Sequence, residues 1–414
     1  MTDTEPLRRW LTRRPLTARH FPYTAVIAAY HHHGKHHVPD RWTRLLRTAR
    51  DQYPNVPGTQ GRHLRAFLAN TLDKTDGRYA YPTYLALNLL PMPDPDDPPA
   101  PAARLLARRD RLHAHLLADL IAFELAATHD PSTPLPDLRP DRTLTTKRLR
   151  HATRAALPAL HRLRLIDPRT ADDPHTVATQ IAAAVTIDRT PEEHLLLGAS
   201  MLPVSTVHDE WMFIRILQTF ETTFALLAVD LRDIITATRT GRTRTAALRL
   251  TTAANLLRES TPLWSVMATL QPQAFHQFRP HTDGASAIQS HHYKLVESLC
   301  RRPHPDRRDS AAYRSVPHVR TRILDGQPGL DDILDHLTHT TTADDARTLA
   351  PAMATFATAL RQWRHTHYRL AVRMLGTDQP GTGHTHGTPY LADTRHHPVF
   401  RRCPDAGPPN GPES

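Results

Sequence analysis

Apolar residues in this chain recur at the spacing of an α-helix and seldom at that of a strand. Leu105, Leu112, Leu116 and Leu120 share one helical face, and Leu106 and Leu117 widen the stripe. Alternating runs of β-branched and aromatic residues are scarce, and few Asn-Gly or Asp-Gly pairs are present to turn a hairpin. The pattern predicts a nearly all-α fold. With 414 residues and 46.7 kDa, the chain is long enough to bury one large helical core or two ordinary ones.

The chain is basic, with a formal charge of +11, but only four of its 52 basic residues are lysines. So strong an arginine bias, beside abundant Ala, Thr, Pro and His, is what a GC-rich genome produces. The basic residues are spread along the chain rather than gathered into a stripe with interleaved aromatics, so nucleic acid is not an expected partner. Two cysteines, Cys300 and Cys403, cannot build a disulfide framework, which suits a reducing compartment. The N-terminus MTDTEPLRRWLTRR has no apolar signal region, and no apolar run is expected to span a membrane. A cytoplasmic, soluble protein is expected.

Taken in order, residues 1–20 read as poorly ordered. Phe21 to Tyr30 reads as a short helix ending at HHHGKHH (His31 to His37), a run that either binds metal or is a solvated loop. Helices follow over Asp40 to Tyr53 and Gly61 to Lys74. Three tyrosines crowd into DKTDGRYAYPTYLALNLLP (Asp73 to Pro91), and Pro91 to Pro101 breaks the chain. Further helices are expected over Ala102 to Thr128, Thr143 to Leu165 and Pro174 to Ile187. Another begins at His208-Asp209-Glu210, whose two acids suit the positive end of a helix dipole. Val316 to Pro328 reads as a connection. A last long helix is expected from Thr342 to Leu375, and Pro398 to Ser414 reads as a disordered tail. The division expected is 1–195 as an N-terminal helical region, 196–397 as the functional core and 398–414 as the tail.

Three stretches carry chemistry: HDEWMFIRILQTFE (His208 to Glu221), WSVMATLQPQAFHQFRPHTDGASAIQSHHYKLVESLC (Trp264 to Cys300) and WRHTHYRLAVRMLGTDQPGTGHTHGTPY (Trp363 to Tyr390). A neutral imidazole on a helix, such as His367, is the usual proximal ligand of haem iron. A Gly/Thr loop such as Gly381 to Gly387 can bring backbone N–H groups close to a small ligand. Together the three stretches resemble the tryptophan 2,3-dioxygenase-like superfamily of histidine-ligated haem aromatic oxygenases. The stretch Asp73 to Pro91 resembles the haem-dependent L-tyrosine 3-hydroxylases of antibiotic biosynthesis.

The resemblance implies an all-α helical-bundle haem domain with an N-terminal helical extension. It places the iron ligand at His367, in the WRxxH pattern, and Phe213 in the pocket beside the haem. Leu217 stands where the dioxygenases have a distal histidine, so that face lacks an imidazole to meet an indole N–H or relay a proton. Arg279 matches the arginine that grips the substrate carboxylate, a task suited to the guanidinium fork. Phe275 stands at a tyrosine position, and Thr382 of Gly381-Thr382-Gly383 matches the threonine that meets the substrate head group. His208, His291 and His292 are the candidates for the missing acid/base. Neither cysteine has a histidine four residues before it, so non-covalent haem b is implied rather than the linkage of a His-x-x-x-Cys group.

The expected activity is oxygenation of an aromatic amino acid with peroxide or oxygen, first of all L-tyrosine 3-hydroxylation. The rivals are oxygenation of tryptophan or a substituted tryptophan, and a haem-free helical binding protein. A homodimer or homotetramer is expected.

Overall fold

The computed structural model describes residues 3–53, 58–74, 80–166, 173–337, 343–381 and 387–401. Among them there is no strand, only an isolated bridge between Asp137 and Val207, so the all-α expectation holds. The first helices are α1 (Glu5–Thr12), α2 (Tyr23–His33), α3 (Asp40–Gln52), α4 (Thr59–Thr71) and the single turn α5 (Tyr81–Tyr84). The long middle helices are α6 (Ala102–His129), α7 (Arg142–Leu163) and α8 (Pro174–Asp188), followed by α9 (Pro191–Ala199) and α10 (Asp209–Arg239). Then come α11 (Thr243–Glu259), α12 (Thr261–Met267), α13 (Pro272–Phe278) and α14 (His291–Cys300). The short α15 (Pro305–Arg308), α16 (Ala311–Arg314), α17 (Pro317–Leu324) and α18 (Leu330–Leu337) lead to α19 (Ala343–Leu375) and α20 (Thr388–His396).

Local sequence marks several of these starts. The Asp141 carboxylate accepts the Leu144 N–H at 2.7 Å, and Asp173 accepts that of Thr176 at 2.8 Å. Thr190 and Glu193 form a reciprocal capping box ahead of α9. Each such cap satisfies donors that a helix start leaves unpaired.

Helix α10 is the axis of the molecule. It is long and apolar enough to cross a membrane, contrary to expectation, but nearly nine-tenths of its most apolar window is buried by other helices. Its hydrophobicity is therefore that of a core helix. Helices α6, α7 and α8 share one continuous core with α10, α11, α12, α14 and α19, so packing runs through residue 195 without a break. A second cluster holds the N-terminal helices, with Trp10, Tyr30, Trp42 and Phe67 packed against Leu196 and Ala199 of α9.

Three expectations are corrected. Residues 5–12 are a packed helix: Leu7 and Trp10 are buried, and the Trp10 indole donates to the Thr17 carbonyl at 3.0 Å. The segment read as a connection after Val316 contains α17, whose Val319 and Ile323 are buried. The chain also stays packed past residue 398, since Val399 and Phe400 are buried and the Arg401 N–H donates to Asp331 at 2.7 Å. Residues 402–414 lie outside the described residues. In each case one or two large apolar residues inside a polar stretch find a pocket that composition does not reveal.

The start of α10 is locked by buried charge. Arg148 of α7 reaches Glu124 of α6 at 3.0 Å and Asp209 at 2.6 Å, all three side chains being almost wholly excluded from solvent. It also donates to the Thr269 hydroxyl and carbonyl, each at 3.1 Å. Removing one member of such a buried set leaves its partners uncompensated. Arg148→Leu is therefore expected to cost about 3–5 kcal/mol of stability, measured as the drop in urea unfolding free energy.

Candidate active site

Two helices present matched stripes to one cavity. On α10 these are Phe213, Leu217, Phe220 and Phe224; on α19 they are Trp363, His367, Leu370 and Met374. Both sets step by four, three and four residues, which keeps them on a single helical face. Trp264 of α12, Phe275 and Phe278 of α13, and Tyr81 of α5 close the walls. The lining is overwhelmingly apolar.

His367 sits between two indoles. Its ring stacks on Trp264 with centroids 5.4 Å apart and meets Trp363 edge-on at 5.4 Å. No hydrogen bond holds either ring nitrogen among the described residues. Burial alone pushes its pKa down to about 4, so the imidazole is neutral at physiological pH and keeps a lone pair free. The indole N–H groups of Trp264 and Trp363 are likewise buried with no acceptor among the described residues. Orphaned buried donors around an unclaimed neutral imidazole are what a bound group carrying a metal and acceptor atoms would satisfy. The residues present thus fit haem, and His367 is the side chain that would hold its iron.

Arg279 lies at the mouth. It follows α13 in the tight turn Arg279–Thr282, which the Thr282 hydroxyl closes onto the Arg279 carbonyl at 2.8 Å. Its guanidinium donates to the Pro380 carbonyl at 2.5 Å, the one hydrogen bond it makes among the described residues. The remaining guanidinium N–H donors have no acceptor among the described residues, and their fork geometry is of the kind that can grip a carboxylate. The loop that carries Pro380 is pinched shut at its base, where Thr388 donates from its N–H to the Gln379 carbonyl at 3.1 Å and accepts the Gln379 N–H on its hydroxyl at 3.0 Å.

The polar wall comes from residues that sequence reasoning passed over. Glu221 of α10 accepts from the Tyr81 hydroxyl at 3.1 Å and pairs with His292 Nδ1 at 2.8 Å. Tyr81 and Glu221 both line the cavity. Burial, with Glu221 beside it, holds the Tyr81 phenol well above its ordinary pKa, so it stays a donor. Glu221 is one helical turn beyond Leu217, and that spacing was the available signal. Tyr81 was signalled only by the crowding of tyrosines before residue 85.

The structure therefore gathers Phe213, Leu217, Phe275, Arg279 and His367 around one cavity. It does not bring all three candidate catalytic histidines there. His208 is sealed 3.4 Å from Glu124 and against Phe123, and is not part of the lining. That is a correction: the turn before α10 points it into the charged core. His291 stacks on His318, with centroids 5.5 Å apart, and it too lies outside the lining. His292 reaches the site only through Glu221. Thr382, His384 and His386 lie outside the described residues.

An all-helical core whose aromatic slot is lined, among the described residues, by a single half-buried histidine is a haem-protein class of site. Residues 193–315 match the family model for tryptophan 2,3-dioxygenase. The chain is 28% identical to the tryptophan 2,3-dioxygenase of Burkholderia lata over 46% of this chain and 72% of that one. It is 26% identical to the enzyme of Polaromonas sp. over 46% and 76% respectively. It is 32% identical to that of Kineococcus radiotolerans, over 38% of this chain and 59% of the relative. The shared stretch is similar to the tryptophan 2,3-dioxygenases, enzymes that depend on haem iron.

Gly387 tests the loop that orients Arg279. It has φ 58°, and a Cβ there would stand 2.0 Å from the Gln379 carbonyl oxygen and 2.4 Å from the Gly381 nitrogen. Gly387→Ala is expected to force the pinch open and to raise the apparent KM for the amino acid several-fold, with the haem spectrum retained.

Proposed function

We propose that this protein is a haem-dependent oxygenase of a free aromatic amino acid, with tryptophan or a ring-substituted tryptophan as the substrate that the comparisons support best. The observation that carries it is His367, a neutral imidazole with no hydrogen-bond partner among the described residues, facing an aromatic slot whose mouth holds Arg279. Bound haem supplies the oxidising chemistry, from oxygen or peroxide. The chain's own residues bind and position. Arg279 takes the substrate carboxylate, and Thr382 is assigned the head group with it. Phe213, Leu217 and Phe275 hold the ring and exclude water, and holding the ring in place supplies much of the acceleration.

Glu221, kept in place by Tyr81 and His292, is the polar group that meets a ring N–H or hydroxyl and holds its proton. Leu217 favours a second reading, L-tyrosine 3-hydroxylation, because the apolar side chain there leaves an indole N–H without an imidazole partner on that face. A homo-oligomer completes the proposal.

The test is product analysis of the purified protein with L-tryptophan, a substituted tryptophan or L-tyrosine, each with peroxide or with ascorbate and oxygen. Ring-opened or oxygenated indole supports the leading reading, a tyrosine product heavier by one oxygen moves the substrate to the phenol, and no turnover with any of them overturns both. His367→Ala is expected to abolish the Soret band. Haem retention in the parent should stay level as pH falls from about 8 to about 5, because a proton competes for the His367 lone pair only near its lowered pKa. Arg279→Ala is expected to raise the apparent KM about 10- to 100-fold, the range of a lost charge-assisted pair, with a smaller change in kcat.

A further inference from the structure

The fold brings a distant histidine to His36 and His37, the last two residues of the His31–His37 run. After α2 the chain turns at Gly34, where a Cβ would stand 2.7 Å from the Ser205 Cα. The Lys35 N–H then donates to the Pro203 carbonyl at 2.7 Å and the His36 N–H to that of Val204 at 3.1 Å. These bonds hold His36 and His37 side by side against the 203–205 segment. From the far half of the chain, His281 enters from the turn Arg279–Thr282. Its ring centroid is 4.5 Å from that of His36 and 5.1 Å from that of His37. One ligating nitrogen from each of the three lies within 4.8 Å of the others.

We propose that His36, His37 and His281 form a surface site for a divalent transition ion, zinc foremost, separate from the His367 pocket, and that the ion steadies the turn carrying Arg279. Three imidazoles with an open fourth position are a recurrent zinc donor set. At Zn–N distances of about 2.0–2.1 Å the nitrogens of a tetrahedral site stand roughly 3.4 Å apart. Side-chain rotation about Cα–Cβ and Cβ–Cγ closes that gap, since His36 and His37 are exposed and His281 only half-buried. Water or the neighbouring Asp283 carboxylate takes the fourth position, while Lys74 opposes the charge in part. His281 is two residues beyond Arg279, so fixing its ring to α2's end restrains the turn from which the guanidinium reaches the mouth of the pocket. That coupling rests on the function proposed for Arg279; the site itself does not.

The experiment uses the full-length protein without a histidine tag, stripped with chelator and titrated with Zn²⁺ alone by calorimetry, with Co²⁺ absorption reporting tetrahedral ligation. One equivalent is expected to bind, and His281→Ala to weaken binding at least about tenfold with unchanged circular dichroism. Equal affinity in His281→Ala would mean that the His31–His37 run binds as a floppy tag, and would overturn the site, as would no binding to the parent. The coupling is read from the apparent KM for the aromatic amino acid. A Zn²⁺-dependent change in the parent but not in His281→Ala supports it, and a parent KM indifferent to Zn²⁺ overturns the coupling alone.

Discussion

The structure depends on α10 being buried on every side while carrying polar residues that must find partners. The buried charged groups of its first half are answered by different neighbours, which is how one helix positions many. Asp209 is held by Arg148 of α7. Glu210 accepts the backbone N–H groups of Val204 and Ser205 and the Tyr84 hydroxyl. Arg215 reaches Asp119 of α6, the Ser200 hydroxyl and the Leu197 carbonyl. Glu221 takes Tyr81 and His292. These directional constraints set the register of α10 against its neighbours, where hydrophobic packing alone would tolerate a slide.

The pocket is a consequence of that register. With the charged start of α10 locked, its Phe213–Phe224 face must look across at the Trp363–Met374 face of α19, and the large aromatics between them leave a slot rather than a closed core. The N-terminal region contributes more than an added layer. Its α5 turn supplies Tyr81 to the wall, and Gln289 fixes that turn by accepting the Tyr81 N–H at 3.1 Å. More than half of the chain lies outside the stretch shared with the Burkholderia lata relative, and part of the remainder builds the site.

Much of the fold was legible because long amphipathic stripes leave little choice. The bounds expected for α3, α6, α7, α8 and α19 fall within a few residues of those observed. The errors fell where one or two residues decide. Trp10 and Phe400 sit in polar, Pro- or Arg-containing segments, and only the depth of the cavity receiving each shows that the segment packs. Likewise His208 and His367 look alike in sequence, each a histidine on or beside a helix. One is sealed against Glu124 and Phe123, and the other faces the cavity beside two indoles.

The sequence by itself determined the helical class and the helix that carries His367, since periodicity is a local property of the chain, and its resemblance to a known family marked Arg279, Phe213 and Leu217. Tertiary structure decided which polar groups meet at the pocket wall, where Tyr81 and Glu221 line it and His292 backs Glu221. Glu221, Tyr81 and His292 are separated by 71 to 211 residues, and no local pattern encodes their meeting. It also decided that His281 would join His36 and His37, because a cluster of ligands depends on distance in space, and distance in space is fixed only when the whole core packs.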